Sequence, residues 1–169
     1  LTPFAAGASL GPYAGALRSA IHELKYRGRR RVAARLADAL LGEPSVRALL
    51  AADAVLVPVP LHPRRKRERG FNQAEWLAAE LARRVPVRLA PAVLVRRKET
   101  APQTGLSASA RRANVRGAFA VRRRAQVDGR VVVLVDDVLT TGATALACAQ
   151  ALRQAGAAQV RLLTAARVA

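Results

Sequence analysis

Residues Val131–Thr144 read VVVLVDDVLTTGAT, an unbroken Val/Leu run that meets two adjacent carboxylates, Asp136 and Asp137, and then opens into a turn of small residues. A continuous apolar run suits a strand covered on both faces, the environment of a central strand in a parallel sheet. The next residues, ATALACAQALRQAG, are rich in Ala and Leu and repeat with the period of a helix. The acids and hydroxyls are therefore expected at a strand-to-helix turn. In an open α/β sheet, ligands bind beyond the carboxyl ends of the strands, and a helix N-terminus offers backbone N–H groups and the positive end of its dipole to an anion. The turn Val138, Leu139, Thr140, Thr141, Gly142, Ala143 and Thr144 is thus a candidate phosphate cradle. Carboxylates repel phosphate, but Asp136 and Asp137 can each accept hydrogen bonds from a vicinal diol. A phosphate on one side and a diol on the other describe a ribose 5-phosphate. Neither G-x-x-x-x-G-K-[ST] nor G-x-G-x-x-G occurs in the chain. The alternative is a flavodoxin-like strand whose acids only cap the following helix.

A length of 169 residues allows one domain with a sizeable core. Cys148 is the single cysteine and falls among alanines of the expected last helix, so a disulfide framework is excluded and a buried structural thiol is expected. With only His22 and His62 beside it, a closed structural zinc site cannot be assembled, and no metal-ligand set is read. No apolar run approaches membrane-spanning length and the start LTPFAAGASLGPYAG lacks a basic n-region, so a cytoplasmic location is expected. The chain has no Met and begins at Leu1, which leads to the expectation that part of the natural N-terminus is missing. The net charge is +18, and residues 61 to 130 concentrate it, with eighteen basic groups against five acidic. Such a block points to a polyanionic partner: pyrophosphate, nucleic acid or an acidic membrane surface. The alternative is an Arg-for-Lys compositional bias, which explains Arg identity better than clustering.

Along the chain, Leu17, Ile21 and Leu24 give an amphipathic helix over Ala14–Tyr26 that stops at Gly28. A second helix is expected over Arg31–Leu41, ended by Gly42 and Pro44. Together these two form a lid or flank. Ala54–Pro58 reads as the first core strand, and VPLHPRRKRERGFN as a loop. Asn72, with Glu75 three residues on, reads as a capping-box start for a helix that Pro86 closes. Val93–Val95 reads as a second strand, Arg96–Arg116 as a long functional loop, and Gln159–Ala165 as a strand that completes a βαβ unit with Val131 and the last helix.

VVVLVDDVLTTGAT resembles the phosphoribosyl-pyrophosphate (PRPP) motif of type I phosphoribosyltransferases. Three further blocks, IHELKYRG (Ile21–Gly28), VPVPLHPRRKRERGFNQ (Val57–Gln73) and APQTGLSASARRANVRGAF (Ala101–Phe119), resemble the ComF branch of that superfamily, in its order and over nearly the whole chain. The resemblance implies an α/β fold of the type I phosphoribosyltransferase kind, a mostly parallel sheet flanked by helices with an N-terminal helical hood. It also implies one domain over 1–169, with hood or flank at 1–50 and the α/β core at 51–169. Asp136 and Asp137 would hold the ribose hydroxyls as catalytic residues, and Val138–Thr144 the 5-phosphate. Leu61 and His62, with Arg65, Lys66 and Arg67, would form the pyrophosphate loop. Gln103, Thr104, Arg111 and Arg112 would belong to a mobile loop closing over PRPP. The acceptor would be read by hood residues among Leu17 to Arg30. Magnesium would arrive with PRPP. The family's cysteine-rich zinc-binding segment has no counterpart here, so no zinc is expected.

Two classes of function stay open. As an enzyme, the chain would transfer phosphoribose with loss of pyrophosphate, in natural transformation or in nucleotide metabolism unrelated to DNA uptake; no separate general base is evident. As a binding protein associated with competence, it would take single-stranded DNA through Arg64, Arg65, Lys66, Arg67 and Arg69, with competence proteins as possible partners. Six aromatic residues are few for a stacking platform, and Trp76 reads as core. A purine-operon-type regulator sensing PRPP is a third reading, for which no helix-turn-helix signature is found.

Overall fold

The computed structural model describes residues 3–50, 53–98, 110, 115 and 117–168. The described elements run β1 (Ala6–Pro12), α1 (Gly15–Arg27), α2 (Arg30–Gly42), α3 (Pro44–Leu49), β2 (Val55–Pro58), α4 (Pro63–Arg69) and α5 (Gln73–Ala82). They continue with β3 (Arg88–Leu89), β4 (Leu94–Arg96), β5 (Phe119–Val121), β6 (Val131–Leu139), α6 (Ala143–Gln154) and β7 (Gln159–Arg167). Five strands form one sheet in the order β1-β7-β6-β2-β3, every pair parallel. β6 is its middle strand, and Val132, Val133, Leu134 and Val135 are fully buried, as a run covered on both faces requires.

The side chains of β6 divide by parity between two cores. Val132 and Leu134 pack with Cys148, Ala149 and Leu152 of α6. Val133 and Val135 pack on the opposite side with Leu24 of α1, Leu36 of α2 and Leu77 of α5. The N-terminal helices therefore flank one face of the sheet. Cys148 is buried, as expected.

Three expectations are corrected, and the strand expected at Val93–Val95 is found one residue on, at Leu94–Arg96. Val55–Pro58 is preceded by β1, an edge strand paired to β7, in a Gly- and Ala-rich stretch with little intrinsic β signal. The ladder of β6 runs on through Asp136↔Thr164 to Leu139↔Arg167, so the acids belong to the strand and the turn begins after them. That strand, β4, pairs antiparallel with β5 in a separate two-stranded ribbon. The VPLHPRRKRERGFN segment holds α4: Pro63 sits in its first turn, His62 accepts the N–H of Arg64 through Nδ1, Arg64 meets Glu68 one turn on, and Gly70 closes it. The high density of charge and proline hid these helix signals.

Asn72 caps α5 as expected by accepting the N–H of Ala74. Glu75 does not complete a capping box; both its oxygens take Lys66 Nζ at 2.8 Å. Trp76 is half-buried at the edge of the flank core and stacks on Phe71 at 4.2 Å.

Candidate functional site

Strand alternation sends the two aspartates to opposite faces of the sheet. Asp136 lines a cavity of about 50 Å³ with Val138, Leu139, Thr140, Gly142, Thr144 and Thr164. This gathers the acid and most of the expected cradle into one small polar site at the carboxyl end of the middle strand. Gly142 is the N-cap of α6 at φ +75°, a left-handed conformation that bends the chain from strand to helix. The first N–H groups of α6 face out of the helix at this turn. Asp136 Oδ1 accepts the N–H of Asp137 at 2.9 Å. Burial first, and then neighbouring Asp137, hold the Asp136 carboxyl well above the usual carboxylate range.

Asp137 is buried on the flank side, where Lys25 Nζ of α1 lies 3.3 Å from its Oδ2. Burial lowers the Lys25 pKa, but Asp137 and Asp136 together outweigh it and raise the ammonium above its ordinary value. Lys25 thus ties the hood helix to the acid strand. Lys25 falls in the Leu17 to Arg30 stretch expected to read the acceptor, and a lysine one turn before the helix-ending Gly28 is the only local signal of its pairing with the acid strand.

The residues after β2 separate into two groups. Leu61, Lys66 and Arg67 line a groove of about 980 Å³ that reaches Arg96, Arg97 and Arg122 on the β4–β5 side. Arg65 and Arg69 instead face Lys25 and Tyr26 across a second pocket of about 410 Å³. His62 spends its Nδ1 capping α4, a structural role. Arg96, expected at the start of a loop and found in β4, lies within electrostatic reach of both groups: burial and Arg65 lower its pKa, against Cys148 and Asp136. Its guanidinium also covers the Phe119 ring at 5.4 Å. Gln103, Thr104, Arg111 and Arg112 lie outside the described residues. In the β4–β5 ribbon Arg96 pairs with Phe119. Among the described residues, no cluster of His, Cys, Asp and Glu has the makings of a metal site.

A family model for the phosphoribosyl transferase domain matches residues 72–169. The chain is 38% identical to DNA utilization protein YhgH of Escherichia coli K12 over 158 residues, 91% of this chain and 68% of that protein. The chain belongs to the ComF branch of the phosphoribosyltransferase family. Competence protein F of Haemophilus influenzae is 37% identical over 113 residues, 66% of this chain and 49% of that protein. Among solved structures, the glutamine PRPP amidotransferase of B. subtilis superposes with TM-score 0.55 at 22% identity, over 85% of this chain. An allosteric regulatory enzyme of purine biosynthesis gives 0.54 at 23% identity, again over 85%. This chain spans 30% of each of those two, and the likeness shows the phosphoribosyltransferase fold. In this ComF-branch chain, no helix among the described residues is long and apolar enough to cross a membrane.

Proposed function

We propose that this chain binds magnesium-PRPP, or a related phosphorylated ribose, at the β6–α6 turn, and that it acts in the handling of single-stranded DNA during uptake. The observation that carries the first half is the shared cavity of Asp136, Thr140, Gly142 and Thr144 beyond the middle strand. Hydroxyls and helix N–H groups suit the 5-phosphate, and the adjacent carboxyl suits a ribose diol. The Lys66–Arg67 groove offers guanidinium forks and an ammonium to the pyrophosphate end. If the bond to pyrophosphate breaks, the sugar gains positive charge beside Asp136, and the leaving anion departs toward the arginines. The DNA half draws on the names of the relatives, DNA utilization protein and competence protein, and on the basic surface of α4.

Thermal unfolding with and without magnesium-PRPP tests the first half. The parent chain should gain stability that grows with the logarithm of ligand concentration. The Asp136→Asn, Thr140→Val double variant should remain folded and lose that gain. An undiminished shift in the variant would remove the turn as the site.

A further inference from the structure

The flank holds a second cluster of arginines that shares no residue with the phosphoribosyl turn. Glu80 of α5 is buried, 6% exposed, on a helix whose neighbouring positions Leu77 and Leu81 are core. A buried carboxylate is tolerated only when cations and hydrogen bonds surround it. Arg84 Nη1 bonds it at 2.6 Å, and Arg83 and Arg30 approach at 3.8 and 3.9 Å. Arg84 is also held by Asp38 of α2 at 2.6 Å. Glu80 therefore assembles guanidinium groups from two helices around one point. They line a cleft of about 700 Å³ between α2 and α5, with Arg31 on its wall. Four arginines stand against two carboxylates here. The Arg30 and Arg83 side chains are 59% and 71% exposed, and their distances to Glu80 exceed hydrogen-bond range, so their forks can take phosphate oxygens.

This cleft continues a basic track that begins at α4. Arg69 lies over the Tyr26 ring at 5.9 Å, near the end of α1. Arg27 and Arg29 follow, both paired to Glu23. Arg30 then opens the α2–α5 cleft. Outside the cleft, the charges succeed one another along the chain from Tyr26 to Arg30, which fits an extended polyanion better than a compact one. Midway on that path Tyr26 is 63% exposed. An exposed ring beside arginines gives an unpaired base a stacking face, which a duplex does not present.

We propose that the α2–α5 arginine cleft is a second contact for the phosphodiester backbone of single-stranded nucleic acid, reached from α4 across Tyr26. The proposal rests on the DNA half of the reading above and is independent of the PRPP half.

The test is fluorescence anisotropy of a labelled oligothymidylate titrated with the whole chain over a range of NaCl concentrations. Four proteins are compared: the parent, a cleft variant (Arg30→Ser, Arg31→Ser, Arg83→Ser), a helix variant (Arg65→Ser, Arg67→Ser) and Tyr26→Leu. Arg84, which Asp38 and Glu80 hold in the fold, is left in place. Removing three phosphate contacts should weaken binding at low salt by at least roughly tenfold and flatten the slope of log K against log[salt] by about 2. Tyr26→Leu should weaken binding without altering that slope. Because Arg84 still pairs with Glu80, the cleft variant should keep a cooperative melt well above the assay temperature, which establishes that the fold is intact. If the cleft variant binds like the parent while the helix variant is weakened, the second contact is overturned and the DNA reading survives. If the parent shows no salt-dependent binding, both fall. If a duplex binds the parent as tightly as the single strand and loses equally in the cleft variant, the assignment to single strands is overturned.

Discussion

Lys25 Nζ and Asp137 Oδ2 lie 3.3 Å apart, an ion pair that joins the last turn of α1 to the middle strand of the sheet. Its two members are 112 residues apart, in two separate sequence blocks that the fold alone brings together. Asp137 is buried, so truncating its partner leaves a carboxylate in the flank core without a cation, at a cost of about 3 kcal/mol. Lys25→Met should therefore destabilise the chain by about that amount, and Lys25→Met with Asp137→Asn should recover most of it. Urea unfolding of the four proteins in the cycle measures this. A double variant no better than Lys25→Met would show that the lysine acts through packing of its stem.

Asp136 gives a pH dependence of opposite sense to that of an ordinary surface acid. Its folded pKa is raised by burial and by Asp137, so the native state keeps a proton that the unfolded chain, with a pKa of about 3.9, has lost. Stability is then greatest below about pH 4 and declines as pH rises toward the raised folded value. Asp136→Asn removes that decline. The variant should be more stable than the parent at neutral pH, with the difference shrinking on acidification, even as it loses PRPP binding. Denaturation curves that run parallel across the pH range would contradict the assignment.

Legibility followed burial. The middle strand, the two long flank helices and the α5 cap were readable because apolar period and capping chemistry are local, and Val131–Val135, Leu36, Leu77 and Asn72 sit as that pattern demands. Residues Ala6–Pro12 were not readable as a strand, since Ala and Gly carry little β preference and the ladder to β7 is set by a partner more than 150 positions away in the chain. In the site, the turn was legible because its residues are contiguous. Lys25, Arg96 and the division of α4 between two pockets were not, because each depends on which elements the sheet order brings side by side.

Gly142 tests the turn itself. At φ +75° a side chain is strained, while a Cβ placed there would meet only Leu139 Cδ1, at an ordinary 3.6 Å. The penalty of Gly142→Ala is thus conformational, about 1–2 kcal/mol, and Gly142→Asn should lose less because Asn tolerates the left-handed region. Thermal melts of the two variants should rank glycine, asparagine, alanine. Equal loss in both would point to a steric origin.

Asn72 joins stability to the candidate pyrophosphate loop. Its Oδ1 accepts the N–H of Ala74 to start α5, and its Nδ2 donates to the carbonyl of Val59 at 2.9 Å. Val59 in turn donates its N–H to Val135 of the middle strand, and Pro60, Leu61 and His62 follow it directly. One buried amide therefore fixes where the chain leaves the sheet and where α5 begins. Asn72→Ala forfeits a cap worth about 1 kcal/mol and leaves a buried carbonyl unsatisfied at about 1–3 kcal/mol more. Asn72→Asp retains the cap and sets a carboxylate against that carbonyl, so it should rescue little. Magnesium-PRPP affinity measured well below the melting temperature should also fall in Asn72→Ala, because the loop loses its anchor while Asp136 and the turn are untouched. A variant that lost stability but bound PRPP as the parent does would separate this loop from the ligand site.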